Sequence, residues 1–206
     1  MKLLAACVLG LMFGVSGALA GPLHDAAKAG DSDRVKQLLD QGANVAEPDS
    51  TGEPPLLIAA LVGKTDVVAI LLDRGADIET RNKGGLTALH AAAYGGHLDT
   101  VKLLVEKGAA VNDQKNFYHM SPLHASAEEG HAEIVAFLLA NKAEIEATER
   151  NGYTPLTQAG WRQYWDAADL LMKAGATCQK ADLVGEWLFT ECTKRNGGSE
   201  QPKPSP

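Results

Sequence analysis

Residues 84–116 read GGLTALHAAAYGGHLDTVKLLVEKGAAVNDQKN, and this stretch decides the fold. Thr87 carries a hydroxyl that can cap free backbone N–H groups, so a helix is expected to start at Ala88. Ala91-Ala92-Ala93 follow, small enough to let a neighbouring helix approach closely. Gly96 ends that helix. Val101 with Leu103-Leu104 then marks the buried face of a second helix, since apolar residues three and four apart share one side. Gly108 offers the left-handed residue that closes it.

The same grammar recurs on both sides. Leu23, Leu56, Leu89, Leu123 and Leu156 are separated by 33, 33, 34 and 33 residues. Ala43, Ala76, Ala109, Ala143 and Ala176 keep the same steps. Two markers in one register establish an internal repeat. Ser121-Pro122 and Thr154-Pro155 open their units, with proline at the first helical turn, where its missing N–H costs nothing. Gly30, Gly63 and Gly130 end the first helices. The second helices carry Val35 with Leu38-Leu39, Val68 with Leu71-Leu72, Val135 with Leu138-Leu139 and Ala168 with Leu170-Leu171. Gly42, Gly75 and Gly175 close them. Lys142 stands where the fourth closing glycine belongs, and Asn141 is expected to take the left-handed role instead.

Leu86-Thr87-Ala88-Leu89-His90-Ala91-Ala92 and Gly152-Tyr153-Thr154-Pro155-Leu156 resemble the G-x-T-P-L-H-x-A-A signature of ankyrin repeats. Gly75-Ala76-Asp77-Ile78 and Gly108-Ala109-Ala110-Val111-Asn112 resemble the G-A-D-V-N ending. The resemblance implies an all-α ankyrin-repeat α-solenoid: a curved stack of about five helix-turn-helix repeats with hairpin loops, each unit stabilised by its neighbours. The expected units are 21–50, 51–83, 84–116, 117–150 and 151–178. A cap helix is expected over 179–195, and 196–206, rich in Gly, Pro and Ser, reads as a mobile tail. Lys28 and Asp31 keep the first unit polar on its outer side, as a terminal cap requires. Pro54-Pro55 lacks the hydroxyl cap. One extra residue lies within about Asp113–Met120.

Residues 1–20, MKLLAACVLGLMFGVSGALA, have the pattern of a secretory signal peptide. Lys2 is the positive region, Leu3 to Val15 the apolar one, and Ala18-Leu19-Ala20 the small-x-small cleavage site before Gly21. The competing reading is an uncleaved anchor. No later stretch is apolar enough to span a membrane. The chain has no Asn-x-Ser/Thr sequon, which favours a bacterial source. Export to a periplasm is expected, with release outside the cell as the alternative.

Cleavage would remove Cys7 and leave Cys178 and Cys192. An oxidising compartment allows them to bridge. A straight helix over residues 180–192 would hold them too far apart, so a bridge needs a chain reversal near Gly185 or before Asp182. Two separate thiols remain the alternative, with Cys178 in the buried position of Val45, Ile78, Val111 and Ile145.

The 206 residues are 45% apolar and 22% charged, with a formal charge of −7. An acidic chain without a basic run is a poor nucleic-acid binder. His24, His90 and His124 share one repeat position, and the resemblance implies that they bond hairpin backbone and hydroxyl groups. No four-ligand spacing marks a metal site, and no cofactor motif occurs. Only His119 reads as lying off the repeat consensus. No G-x-S-x-G, phosphate-binding Gly loop or H-E-x-x-H motif occurs, so an enzyme using Cys192 or a histidine is the weakest reading.

The resemblance implies a protein partner meeting the hairpin tips and the concave face of the first helices. Those positions carry Leu61, Tyr94, Phe117, Tyr118, His119, Met120, Glu128, Arg150, Tyr153, Trp161 and Arg162. The chain has only four Phe, four Tyr and three Trp, and five of these aromatics fall in that set. Aromatics and Arg are typical interface anchors. Against this, Trp161 and Trp165 are also placed to pack on the cap, and Tyr153 to cover a hairpin. The expected function is therefore non-enzymatic protein binding by a monomer, either as a periplasmic module or as a secreted effector or toxin-neutralising protein.

Overall fold

The computed structural model describes residues 21–197. The leader read over 1–20 and the tail from 198 onward lie outside these residues. Among the described residues there are twelve helices and no strand. The fold is an ankyrin-repeat helical array, and it forms two compact units.

The first unit runs through Ala110 and includes Lys115–Phe117. It holds three helix pairs: α1 (Pro22–Ala29) with α2 (Ser32–Asp40), α3 (Pro55–Leu61) with α4 (Thr65–Asp73), and α5 (Ala88–Gly95) with α6 (Leu98–Glu106). The first helices pack on one another through Leu23, Ala26, Leu56, Ala59, Ala60, Leu89 and Ala91-Ala92-Ala93, all buried. Small side chains are what permit this approach. At Gly95 even one methyl is too many, since a Cβ there would run into the Leu61 carbonyl. The second helices bury Val35, Val67, Val68, Leu71, Val101 and Leu104. Thr65 and Thr100 join α4 to α6 through hydroxyls 2.7 Å apart.

The second unit comprises Val111–Gln114 and Tyr118 onward. It pairs α7 (Pro122–Glu128) with α8 (Ala132–Ala140) and α9 (Pro155–Arg162) with α10 (Trp165–Lys173). The expected single cap helix over 179–195 is instead two, α11 (Ala181–Val184) and α12 (Glu186–Arg195). Gly185 divides them, at φ 89° and ψ 148°, a conformation open to glycine and strained for other residues. That break turns the chain back, so that Cys178 and Cys192 lie 5.9 Å apart at Cα and form a disulfide. Loop closure of this length stabilises a fold by roughly 3 kcal/mol in the chain-entropy account. Leu188 of α12 meets the backbone of α9 at Gly160, where a Cβ would collide with it.

Among the described residues, three other than glycine have left-handed backbones: His119 (φ 55°), Lys142 (φ 64°) and Gln163 (φ 63°). Each stands where other repeats place glycine. Lys142 therefore takes the left-handed role itself, and Asn141, at φ −98°, does not. Helix closure requires that conformation at one register position whatever residue occupies it. The strain is about 1 kcal/mol or more per residue, partly offset by the entropy that glycine loses on folding. Lys142→Gly and Gln163→Gly are each expected to raise stability by about 0.5–1 kcal/mol, read from urea midpoints at constant slope. Both side chains are exposed, so little else changes.

Candidate functional site

The hairpins are built by side chains that substitute for missing backbone partners. In the first unit, Asp49 Oδ1 accepts from the N–H groups of Thr51 (2.8 Å) and Glu53 (2.9 Å) and from the Thr51 hydroxyl. Burial acts against ionisation of Asp49, but these bonds hold its pKa below the usual value. Asn82 does the same one repeat later, accepting from Gly84 and Leu86 at 3.0 Å each. Its amide donates to Glu53 Oε1 at 3.0 Å. Glu53 is only 7% exposed. Burial pushes its pKa up to about 7, against the Asn82 bond, which favours the charged form.

Two histidines of the shared repeat position act as the resemblance implies. His90 Nδ1 accepts from the Thr87 N–H (3.3 Å) and lies 2.9 Å from the Thr87 hydroxyl. In the second unit, His124 Nδ1 accepts from the Ser121 N–H at 3.2 Å. Its ring proton therefore sits on Nε2, which donates to the Tyr153 carbonyl at 3.1 Å. His97 Nε2 lies 2.9 Å from the Leu61 carbonyl. Among the described residues, no group of three or more His, Cys, Asp or Glu could hold a metal ion.

The expected contact residues divide by unit. In the first, Phe117 stands at a hairpin tip, 62% exposed, with its backbone N–H held by the Gly84 carbonyl at 2.9 Å. Arg81 braces the same hairpin by donating to Gly85 O and Lys115 O at 2.8 and 3.2 Å. Leu61 and Tyr94 are half-buried at one repeat position on α3 and α5.

In the second unit, Tyr118 is half-buried and its carbonyl accepts from the backbone N–H of Arg150, an exposed residue, at 2.8 Å. His119 is exposed, and its carbonyl accepts from Gln114 at 2.6 Å. It is not off the repeat register. It aligns with Gly52, Gly85 and Gly152, and the inserted residue falls earlier, between Val111 and Asn116. Met120 is 4% exposed, which corrects its place among the contact residues. The residue before the hydroxyl cap turns inward, as Leu86 does.

Glu128 is also 4% exposed and presents no free carboxylate. Arg162 Nη2 pairs with its Oε1 at 2.9 Å and lies 3.6 Å from Glu129. Burial raises the Glu128 pKa, while the Arg162 bond opposes that shift. Tyr153 and Trp161 meet edge to face, 4.3 Å between centroids. Trp161 Nε1 donates to the Val184 carbonyl at 3.3 Å, so this indole is tied to the cap. Trp165 packs with Trp187 and under the Arg195 guanidinium. Cys192, bonded to Cys178, carries no thiol.

Sequence reasoning missed Glu53 and its Asn82 partner. Register alignment was the available signal, because Glu53 stands where Leu86, Met120 and Tyr153 stand in the later hairpins.

A family model described as "Ankyrin repeats (3 copies)" matches residues 23–115 and 110–182. No curated protein matches the chain. Ankyrin repeats are generally protein–protein interaction modules and generally non-enzymatic. No helix among the described residues is long and apolar enough to cross a membrane. With hydroxyl-capped helix pairs recurring every 33 or 34 residues and the family match spanning most of the sequence, the chain belongs to the ankyrin-repeat family.

Proposed function

We propose that this is an exported, non-enzymatic protein-binding module, working as a monomer in a bacterial periplasm. It engages its partner through hairpin tips and the exposed parts of its first helices. The observation that carries the reading is Phe117: a large apolar side chain, 62% exposed, on a hairpin whose backbone is pinned by Gly84 and Arg81. A rigid tip loses little conformational entropy on binding, and an exposed aromatic buries much area when covered. Within the second unit, Tyr118, Arg150 and His119 supply polar and aromatic tip surface of their own. The acidic charge favours a basic or mixed partner through steering. The signal-peptide pattern of residues 1–20 supports export.

Affinity capture with the chain from Gly21 as bait tests this, beside a Phe117→Ala/Tyr118→Ala bait of matched stability. The expected result is one protein retained by the first and weakened at least about tenfold on the second, the loss typical of an aromatic anchor. Equal retention would move the site off this hairpin. Fractionation separates the periplasmic role from a secreted one: the protein is expected in the periplasm, and recovery from the medium would favour the effector reading.

A further inference from the structure

His24 is 5% exposed, and neither of its ring nitrogens has a hydrogen-bond partner. Buried polar atoms are normally satisfied, and an orphan costs its full desolvation. Its counterparts are satisfied in one way. His90 and His124 each accept at Nδ1 from the backbone N–H of the residue three positions earlier, Thr87 or Ser121. For His24 that residue is Gly21. Gly21 has the same extended cap geometry, φ −70° and ψ 165°, against −91° and 165° at Ser121. Its Cα faces the ring, since a Cβ built there would lie 3.6 Å from Nδ1. What Gly21 lacks is the hydroxyl that Thr87 and Ser121 hold 2.9 and 2.8 Å from the ring nitrogen, and no hydrogen bond joins Gly21 to the ring.

We infer that proteolytic removal of the leader before Gly21 creates the missing donor: the new α-amino group caps His24. A free amine rotates about the N–Cα bond and carries two or three hydrogens, so one can be aimed at Nδ1 while others remain in water. Cleavage is hydrolysis of the Ala20–Gly21 peptide bond, with water supplying the hydroxyl of the Ala20 carboxyl group and a proton to the Gly21 nitrogen. The amine's charge lies at the positive end of α1, and Asp25 in the first turn offsets it. The His24 Nδ1 cap of α1 is thereby completed only after processing. This inference rests on the export reading.

The test compares chains beginning at Gly21 and at Ala20, each in the parent sequence and with His24→Leu. Leucine fits this site, because Leu57 occupies the same register position in the second repeat and is fully buried. The folding equilibrium constant of the Gly21 chain is expected to exceed that of the Ala20 chain by about fivefold, the value of one recovered hydrogen bond. The difference is expected to vanish in the His24→Leu pair. The His24 Nδ1 nitrogen resonance is expected to move between the two parent chains. Equal stabilities, or a difference that survives His24→Leu, would overturn the cap and leave export standing. Amino-terminal sequencing of the exported protein is expected to start at Gly21, and any other start would overturn the coupling itself.

Discussion

Arg162→Met lowers the stability of the folded chain by about 3 kcal/mol near neutral pH. Breaking a buried ion pair costs about 3–5 kcal/mol, because the remaining charge is left in a poor solvent. The lower end applies here, since the Arg162 side chain is 26% exposed and water screens part of the interaction. Glu128 is the charge left behind, at 4% exposure with Glu129 and Glu149 near enough to repel it. Methionine keeps most of the apolar stem, so the loss reports the charge rather than a cavity. Adding Glu128→Gln to the Arg162→Met chain is expected to recover most of the loss. The folded state already holds the Glu128 proton more tightly than the unfolded chain does, and removing Arg162 strengthens that preference. The deficit therefore shrinks as pH falls and Glu128 becomes neutral. Urea unfolding at pH 5 and pH 7 checks both statements. A deficit equal at the two pH values, or one that Glu128→Gln leaves unchanged, would show that Arg162 acts by packing alone.

Glu53→Gln acts in the opposite direction and stabilises the chain at pH 8 by about 3 kcal/mol. Unfolded, Glu53 loses its proton near the ordinary glutamate value of 4.5; folded, it holds the proton to about 7. Between those values the folded state binds the extra proton, so the Glu53 contribution to stability falls by about 1.4 kcal/mol per pH unit as pH rises. It is fully present below 4.5 and lost above about 7. Glutamine is neutral throughout and keeps an oxygen for the Asn82 amide, which Glu53 Oε1 accepts at 3.0 Å. The gain over the parent is thus expected to be near zero at pH 4.5 and to grow toward pH 8. A difference in urea midpoints that stays flat from pH 5 to pH 8 would show that Glu53 ionises in the folded chain as it does in water.

The two predictions concern residues that a reading of the sequence treats very differently. The repeat pattern puts Arg162 and Glu128 among the expected contact residues, yet 34 residues separate them and the chain gives no sign that they neutralise each other. Glu53 matches no motif in the sequence. Its burial follows from the register position it shares with Leu86, and its pKa from burial opposed by an amide 29 residues away.

The sequence alone determined what is local and periodic. The 33-residue step, the hydroxyl caps at Thr87, Ser121 and Thr154, the small first helices and the leucine faces of the second helices are all written within a few residues of where they act. Caps and helical faces depend on neighbours three or four positions away, so the chain specifies them directly. The tertiary structure decided what depends on residues a whole repeat apart. It buried Met120 and Glu128, left Phe117 exposed and satisfied His90 and His124 but not His24. It also placed left-handed strain on His119, Lys142 and Gln163 and broke the cap at Gly185, so that Cys178 meets Cys192. The physical reason is that burial, desolvation and pairing depend on which side chains of the next repeat arrive, and a repeating pattern specifies the frame those side chains share rather than the charges and shapes that meet within it.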